Sequence, residues 1–297
     1  VLMPDGRFEV LDDDYSHLAW GQVSWSDYNG INGETWPACG DVDGDGVAEI
    51  LIGLGAEGGG RVEIFEYGAG GVLHKDWLNL DWEGYNDAVG EVRPACGNID
   101  GDPHAEIILG LGPGGDGKFQ ILDNTYAHLA WGQVDWPDYN DVNGEIRPAC
   151  GNMEWDNSDE IVIGLGAGGG GRMAVFNYVS GSVRQRKWLD IGWRDYSDLL
   201  GETRPACGNI DQDWQDELVV GLAAGGEGTL LVFDDARNNF NVISPLRLQS
   251  EAYVNENGET WPAVKGMRFL NWWLRQTLDG FRKKFLEKSG LIQIQEK

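Results

Sequence analysis

The chain has 297 residues, with 49 acidic against 22 basic side chains and a net charge of −27. That balance excludes nucleic acid as a partner, since phosphates require a basic face. It suits a protein that carries bound divalent cations, which offset self-repulsion. No run of 18 apolar residues occurs, which excludes a membrane-spanning helix.

From the N-terminus, residues 7–12 (Arg-Phe-Glu-Val-Leu-Asp) read as a strand and match residues 118–123 further on. Residues 15–23 follow and return with few changes at residues 126–134, which points to duplication of a two-repeat unit. Then comes the phrase Pro-Ala-Cys-Gly. It begins at Pro37, Pro94, Pro148 and Pro205, spaced 57, 54 and 57 residues apart, and a worn fifth copy opens at Pro262. A fixed period of this size means one supersecondary unit stacked on its neighbours.

Within the first repeat, residues 36–40 lead into an acidic loop, and residues 49–54 form a continuous apolar run, the pattern of a strand covered on both faces. A glycine turn at residues 55–60 is followed by residues 61–66, which alternate as a strand with one buried face. A fourth segment spans residues 75–82. Four short strands per repeat without helical periodicity predict an all-β fold, a β-propeller of four-stranded blades. The strands at the N-terminus and the single strand after the fourth repeat predict five blades, four whole and one composite that closes the ring. A closed ring leaves no open sheet edge. The rival reading is a fragment of a larger ring.

The acidic loops carry the chemistry. The first, residues 41–49, places Asp41, Asp43, Asp45 and Glu49 at positions 1, 3, 5 and 9, with Gly46 at position 6 and the carbonyl of Val47 available at position 7. Calcium takes six to eight oxygen ligands in irregular geometry, and this loop runs directly into a strand, unlike an EF-hand. The pattern returns as Asn98, Asp100, Asp102 and Glu106, as Asn152, Glu154, Asp156 and Glu160, and as Asn209, Asp211, Asp213 and Glu217. Up to four calcium ions are expected, one per complete repeat. Ligand charge makes the first loop the tightest site and the third, with its longer Glu154, the weakest.

Asp-x-Asp-Gly-Asp-x-x-x-Glu followed by an apolar strand and a glycine turn resembles the FG-GAP repeat of integrin α-subunit propellers and bacterial surface proteins. The resemblance covers residues 6–263. It implies a calcium-stabilised propeller, extracellular or at the cell surface, used in adhesion or ligand binding. It also implies that the loop side chains named above are the ligands, joined by the carbonyls of Val47, His104, Ser158 and Gln215. The Phe-Gly and Gly-Ala-Pro signatures of that family are not clearly present, and a tryptophan-rich segment stands in their place.

Three Gly-x-Gly-x-x-Gly stretches, at residues 53–58, 110–115 and 164–169, precede strands and not helices, so they are hairpin turns and not nucleotide sites. Each outer segment repeats a Trp pair and a Tyr: Trp20, Trp25, Tyr28; Trp77, Trp82, Tyr85; Trp131, Trp136, Tyr139; Trp188, Trp193, Tyr196. Inter-blade packing is the expected role. A carbohydrate platform is the alternative, which would make the protein a lectin. The cysteines Cys39, Cys96, Cys150 and Cys207 are expected to be packing residues. The four histidines form no zinc pattern, and with no catalytic constellation the chain is not expected to be an enzyme.

Residues 265–297 break the charge pattern, with 8 basic and 3 acidic side chains against 14 and 46 in residues 1–264. Met267, Leu270, Leu274, Leu278, Phe281 and Phe285 step at helical spacing. The expectation is a propeller over 1–264 and a basic amphipathic helix beyond it, docked on the propeller or in contact with a membrane surface. The expected partner is an extracellular protein or glycan, or a further copy in self-assembly.

Overall fold

The computed structural model describes residues 5–249 and 258–264, apart from Trp155 and Gln212. A hairpin of β1 (Arg7–Leu11) and β2 (His17–Gln22) comes first. Helix α1 (Ser26–Ile31) leads into the first full sheet, β3 (Thr35–Gly40), β4 (Glu49–Leu54), β5 (Arg61–Gly68) and β6 (Gly71–Asn79). Helix α2 (Glu83–Ala88) leads into β7 (Val92–Gly97), β8 (Glu106–Leu111), β9 (Lys118–Leu122) and β10 (His128–Gln133). Helix α3 (Pro137–Val142) precedes β11 (Ile146–Gly151), β12 (Glu160–Leu165), β13 (Arg172–Val179) and β14 (Ser182–Asp190). Helix α4 (Arg194–Leu199) precedes β15 (Thr203–Gly208), β16 (Glu217–Leu222), β17 (Thr229–Phe233) and β18 (Val242–Arg247). Each full sheet is antiparallel with its strands in chain order, so the protein is an all-β propeller of four-stranded blades. The basic segment 265–297 and its expected helix lie outside the described residues.

The second strands β8, β12 and β16 are buried along their whole length, as the apolar runs require. The third strand β5 departs from expectation. Glu63, expected on a solvent face, is fully buried because the linker before α1 covers it: the Ser24 amide donates to Glu63 Oε2 at 2.9 Å. The four helices are a second departure. Six residues are too few to show a 3.6-residue period, and no side chain caps their N-termini. Tertiary bonds hold them instead. Tyr28, Tyr85 and Tyr196 are buried and donate their hydroxyls to the carbonyls of Glu34, Glu91 and Glu202 at 2.6, 2.8 and 2.7 Å, and Tyr139 does the same to Glu145. The amides of Gly55, Gly166 and Ala223 donate back to Tyr28, Tyr139 and Tyr196 at 2.7 Å.

The first strands β3, β7, β11 and β15 lie against one another in succession. Each is an edge of its sheet, which is why it accommodates a proline that cannot donate to a ladder. Neighbouring sheets approach so closely that a Cβ on Gly53 would land on the Val92 carbonyl, and one on Gly221 would land on the Thr260 carbonyl. Thr260 thus stands against the fourth sheet as Val92 stands against the first.

At the start of these strands, side chains from successive repeats interlock. Arg93 pairs with Glu91 of its own repeat and with Glu145 of the next at 2.6 Å. Arg147 bridges Glu145 and Glu202 at 2.7 and 2.9 Å, and Arg204 bridges Glu202 and Glu259 at 2.7 and 3.3 Å. In the first and fifth copies the arginine position holds Trp36 and Trp261. Arg93 stacks on Trp36 at 4.4 Å and Arg204 on Trp261 at 3.7 Å. Burial works against the charge on Glu145, but the flanking Arg93 and Arg147 hold its carboxyl below the usual range.

Candidate metal centres

Each acidic loop joins a first strand to a second strand and folds around its own carboxylates. In the first loop the Gly44 and Gly46 amides donate to Asp41 at 2.8 and 3.0 Å, Asp45 to Asp43 at 3.1 Å, and Val47 to Asp45 at 2.7 Å. Left-handed φ values at Gly44 (76°) and Gly46 (91°) allow this winding, a conformation for which glycine carries no steric penalty. The Val42 amide donates to Glu49 Oε2 at 3.0 Å and so turns the ninth residue back toward the loop.

The other loops repeat the geometry. The Ile99, Met153 and Ile210 amides donate to Glu106, Glu160 and Glu217 at 2.9, 2.9 and 2.6 Å. The Asp102, His104, Ser158, Asp213 and Gln215 amides close onto the carboxylates two residues earlier. The leading Asn98, Asn152 and Asn209 turn their side-chain amides onto the carbonyls of Asp102, Asp156 and Asp213.

Carboxylate oxygens converge in every loop. Asp41, Asp43 and Asp45 bring theirs within 4.8 Å of one another, as do Asp100, Asp102 and Glu106, then Glu154, Asp156 and Glu160, then Asp211, Asp213 and Glu217. Glu49 falls outside the first trio and converges instead with Asp43 and Glu66. The position-seven residues Val47, His104, Ser158 and Gln215 lie on these loops, and their backbone N–H groups serve the preceding carboxylates.

Burial separates the closing glutamates from ordinary carboxylates. It pushes Glu106 up to about 7, with backbone donation from Ile99 opposing and Asp100 and Asp102 adding to the rise. The same cause raises Glu160 to about 8 and Glu217 to about 7. Glu217 Oε1 is buried without a hydrogen-bond partner. The all-oxygen donor sets of the loops, and in the fourth this unsatisfied atom, fit a hard cation such as calcium and do not fit a thiophilic metal.

Some functional neighbours escaped the sequence reading. Asp159 and Asp216, the eighth residues of the third and fourth loops, accept the amides of Asn98 and Asn152 at 2.9 Å and stitch each loop to the one before. An aspartate at position 8 in two successive loops was the available signal. Lys75 and Glu66, at the first loop, gave none.

Of the paired tryptophans, Trp25, Trp77, Trp82, Trp131, Trp136, Trp188 and Trp193 pack against the core, whereas Trp20 is 61% exposed. Trp25, Trp82, Trp136 and Trp193 lie 5.5 to 5.7 Å from Tyr28, Tyr85, Tyr139 and Tyr196, centroid to centroid. Arg61, Lys118 and Arg172 cover the first three at 4.4, 4.5 and 4.8 Å. A cleft of about 420 Å³ remains between Trp82 and Trp131, with Asp81, Lys118 and Gln133 at its walls. A repeat-equivalent cleft of about 320 Å³ is lined by Trp136, Arg172 and Asp190. His74 occupies the place of His17 and His128, beside a tryptophan and bonded to the facing strand. That equivalence was present in the sequence, since His17, His74 and His128 are spaced by 57 and 54 residues, the period of the repeats. Cys39, Cys96 and Cys207 are free thiols. Among the described residues no helix is long and apolar enough to cross a membrane.

No protein-family model and no curated protein matches the chain. Among solved structures it is similar to the exotype rhamnogalacturonan lyase YesX, at 13% identity over 72% of this chain and 49% of the lyase, with a TM-score of 0.44. A rhamnogalacturonan lyase from Bacillus licheniformis gives 14% identity, 72% and 50% coverage, and a TM-score of 0.42. The Dos1 propeller gives 10% identity, 83% and 54% coverage, and a TM-score of 0.46. The chain spans about half the length of each lyase. The expectation that the chain is not an enzyme is not upheld, since lyases stand among the similar structures. Similarity at this level concerns the fold and assigns no reaction.

Proposed function

We propose that the chain is a calcium-stabilised propeller of five blades, the fifth assembled from residues 258–264 with β1 and β2. It acts as a binding or surface-assembly module in an extracellular or cell-surface setting, where calcium is plentiful. A propeller is a rigid scaffold that presents loops and grooves to a partner. The observation that carries the calcium reading is the convergence of carboxylate oxygens at four equivalent loops, three of them closed by a glutamate that burial drives toward neutrality. A bound cation would hold those glutamates ionised and stitch the first and second strands of each blade. In this reading the ligands are the side chains at positions 1, 3, 5 and 9 and the carbonyls of Val47, His104, Ser158 and Gln215, as in the FG-GAP repeat that the loops resemble. Calorimetric titration tests it. Uptake of calcium at micromolar to millimolar concentration, lost stepwise on Asp100→Asn and Asp211→Asn, is expected; no uptake at millimolar calcium overturns it.

The paired clefts favour a second reading, a lectin that holds sugar rings against the exposed parts of Trp82, Trp131 and Trp136. A glycan array probed with and without chelator separates the two. Specific sugar binding lost on Trp131→Ala supports the lectin, and its absence leaves a protein partner.

A further inference from the structure

The first acidic loop differs from the others in what neutralises it. Lys75, on the outermost strand β6, reaches across β5 to the loop. Its Nζ lies 2.7 Å from Asp43 Oδ2, 3.1 Å from Glu49 Oε1 and 2.9 Å from Glu66 Oε1. Asp43 and Glu49 are two of the four side chains through which this loop would hold its cation. Among the described residues, no lysine or arginine is paired with Asp100, Asp102 or Glu106 of the second loop or with Glu154, Asp156 or Glu160 of the third. In the fourth, Arg237 reaches Asp213 but is held also by the buried Asp235, and Glu217 keeps an oxygen without a partner.

An ammonium and a divalent cation repel strongly at the separations found inside one loop, so they cannot share Asp43 and Glu49. Glu66 is half-exposed and stands at the solvent side of the cluster, which offers the ammonium a place to withdraw to. We propose that Lys75 is a built-in competitor for the first calcium loop. At low calcium its ammonium holds Asp43 and Glu49; calcium enters only as the lysine swings outward toward Glu66 and solvent. This rests on the calcium reading above and adds regulation to one of its sites. It also inverts the order that ligand charge alone dictates: the loop richest in aspartate becomes the one that fills last and empties first. The three loops without the lysine then serve as standing structural sites, and the first responds to calcium concentration.

The test is calorimetric calcium titration of the full chain beside Lys75→Met, Lys75→Gln and Asp45→Asn. The unchanged chain should show one site weaker than the rest, absent in Asp45→Asn. Both lysine variants should tighten that site by about tenfold or more and leave the others unmoved. A second measurement needs no substitution: acetylation of Lys75, followed by mass spectrometry, should be slow in chelator and faster in calcium. Unchanged affinity of the first loop in both lysine variants, or Lys75 reactivity indifferent to calcium, overturns the proposal while leaving the calcium reading intact. Absence of calcium uptake by every protein tested would remove both.

Discussion

The indole rings of Trp36 and Trp261 lie 5.3 Å apart, centroid to centroid, and are inclined at 46°. One belongs to the first repeat and the other to the worn fifth copy, so the two ends of the repeat series meet in the layer that Arg93, Arg147 and Arg204 occupy in between. The contact is non-local, between residues far apart in the chain. It predicts that Trp36→Ala and Trp261→Ala are coupled. A double-mutant cycle in urea should give an interaction energy of about 0.5–1.5 kcal/mol, the range of aromatic pairs beyond their area burial. Strict additivity would show that the ends do not support each other.

Arg147 carries the second prediction. It is buried between Glu145 and Glu202, on two different repeats. Removing one member of such a pair leaves uncompensated buried charge, at a cost of about 3–5 kcal/mol. Arg147→Met should therefore lower the urea midpoint substantially, whereas removing the exposed Arg194, paired with Asp198 at 3.6 Å, should change it little. Equal effects from the two would mean that the axial lattice adds nothing beyond surface pairing.

Calcium removal should lower the melting temperature in proportion to site occupancy. A ligand bound only by the folded state stabilises by about 2.7 kcal/mol per site at a hundredfold excess over Kd. Scanning calorimetry with chelator and then with restored calcium should show a reversible loss and recovery, smaller in Asp102→Asn. A melting temperature indifferent to chelator would contradict the proposal.

In metal-free protein the closing glutamates set a pH dependence with a definite sign. Glu160 is raised to about 8 by burial, above its ordinary value of 4.5. The folded state therefore binds a proton more tightly than the unfolded state. Stability from this group grows as pH falls from about 8 and is complete below about 4.5. Chelated protein should melt higher at pH 6 than at pH 8.5, and Glu160→Gln should flatten that difference. Calcium competes with the same proton, so uptake at this loop should weaken as pH falls through the same window. A slope unchanged in Glu160→Gln would assign the effect to other groups.

A repeat sequence discloses whatever depends on neighbours along the chain. The period of Pro-Ala-Cys-Gly, the doubly covered second strand at residues 49–54 and the spacing of Asp41, Asp43, Asp45 and Glu49 are local patterns. Strand pairing within a blade and the winding of each loop follow from them. The burial of Glu63, the helices held by Tyr28 and its equivalents, the Lys75 bridge and the Trp36–Trp261 contact were not legible. Each joins groups whose proximity comes from blades packing side by side, or from strands crossing a sheet, and periodicity carries no information about distance across a ring. Glu-x-Arg in three repeats was visible as letters, but only the axial approach of β7, β11 and β15 turns those letters into a lattice. There each guanidinium is buried and paired with two carboxylates from different repeats.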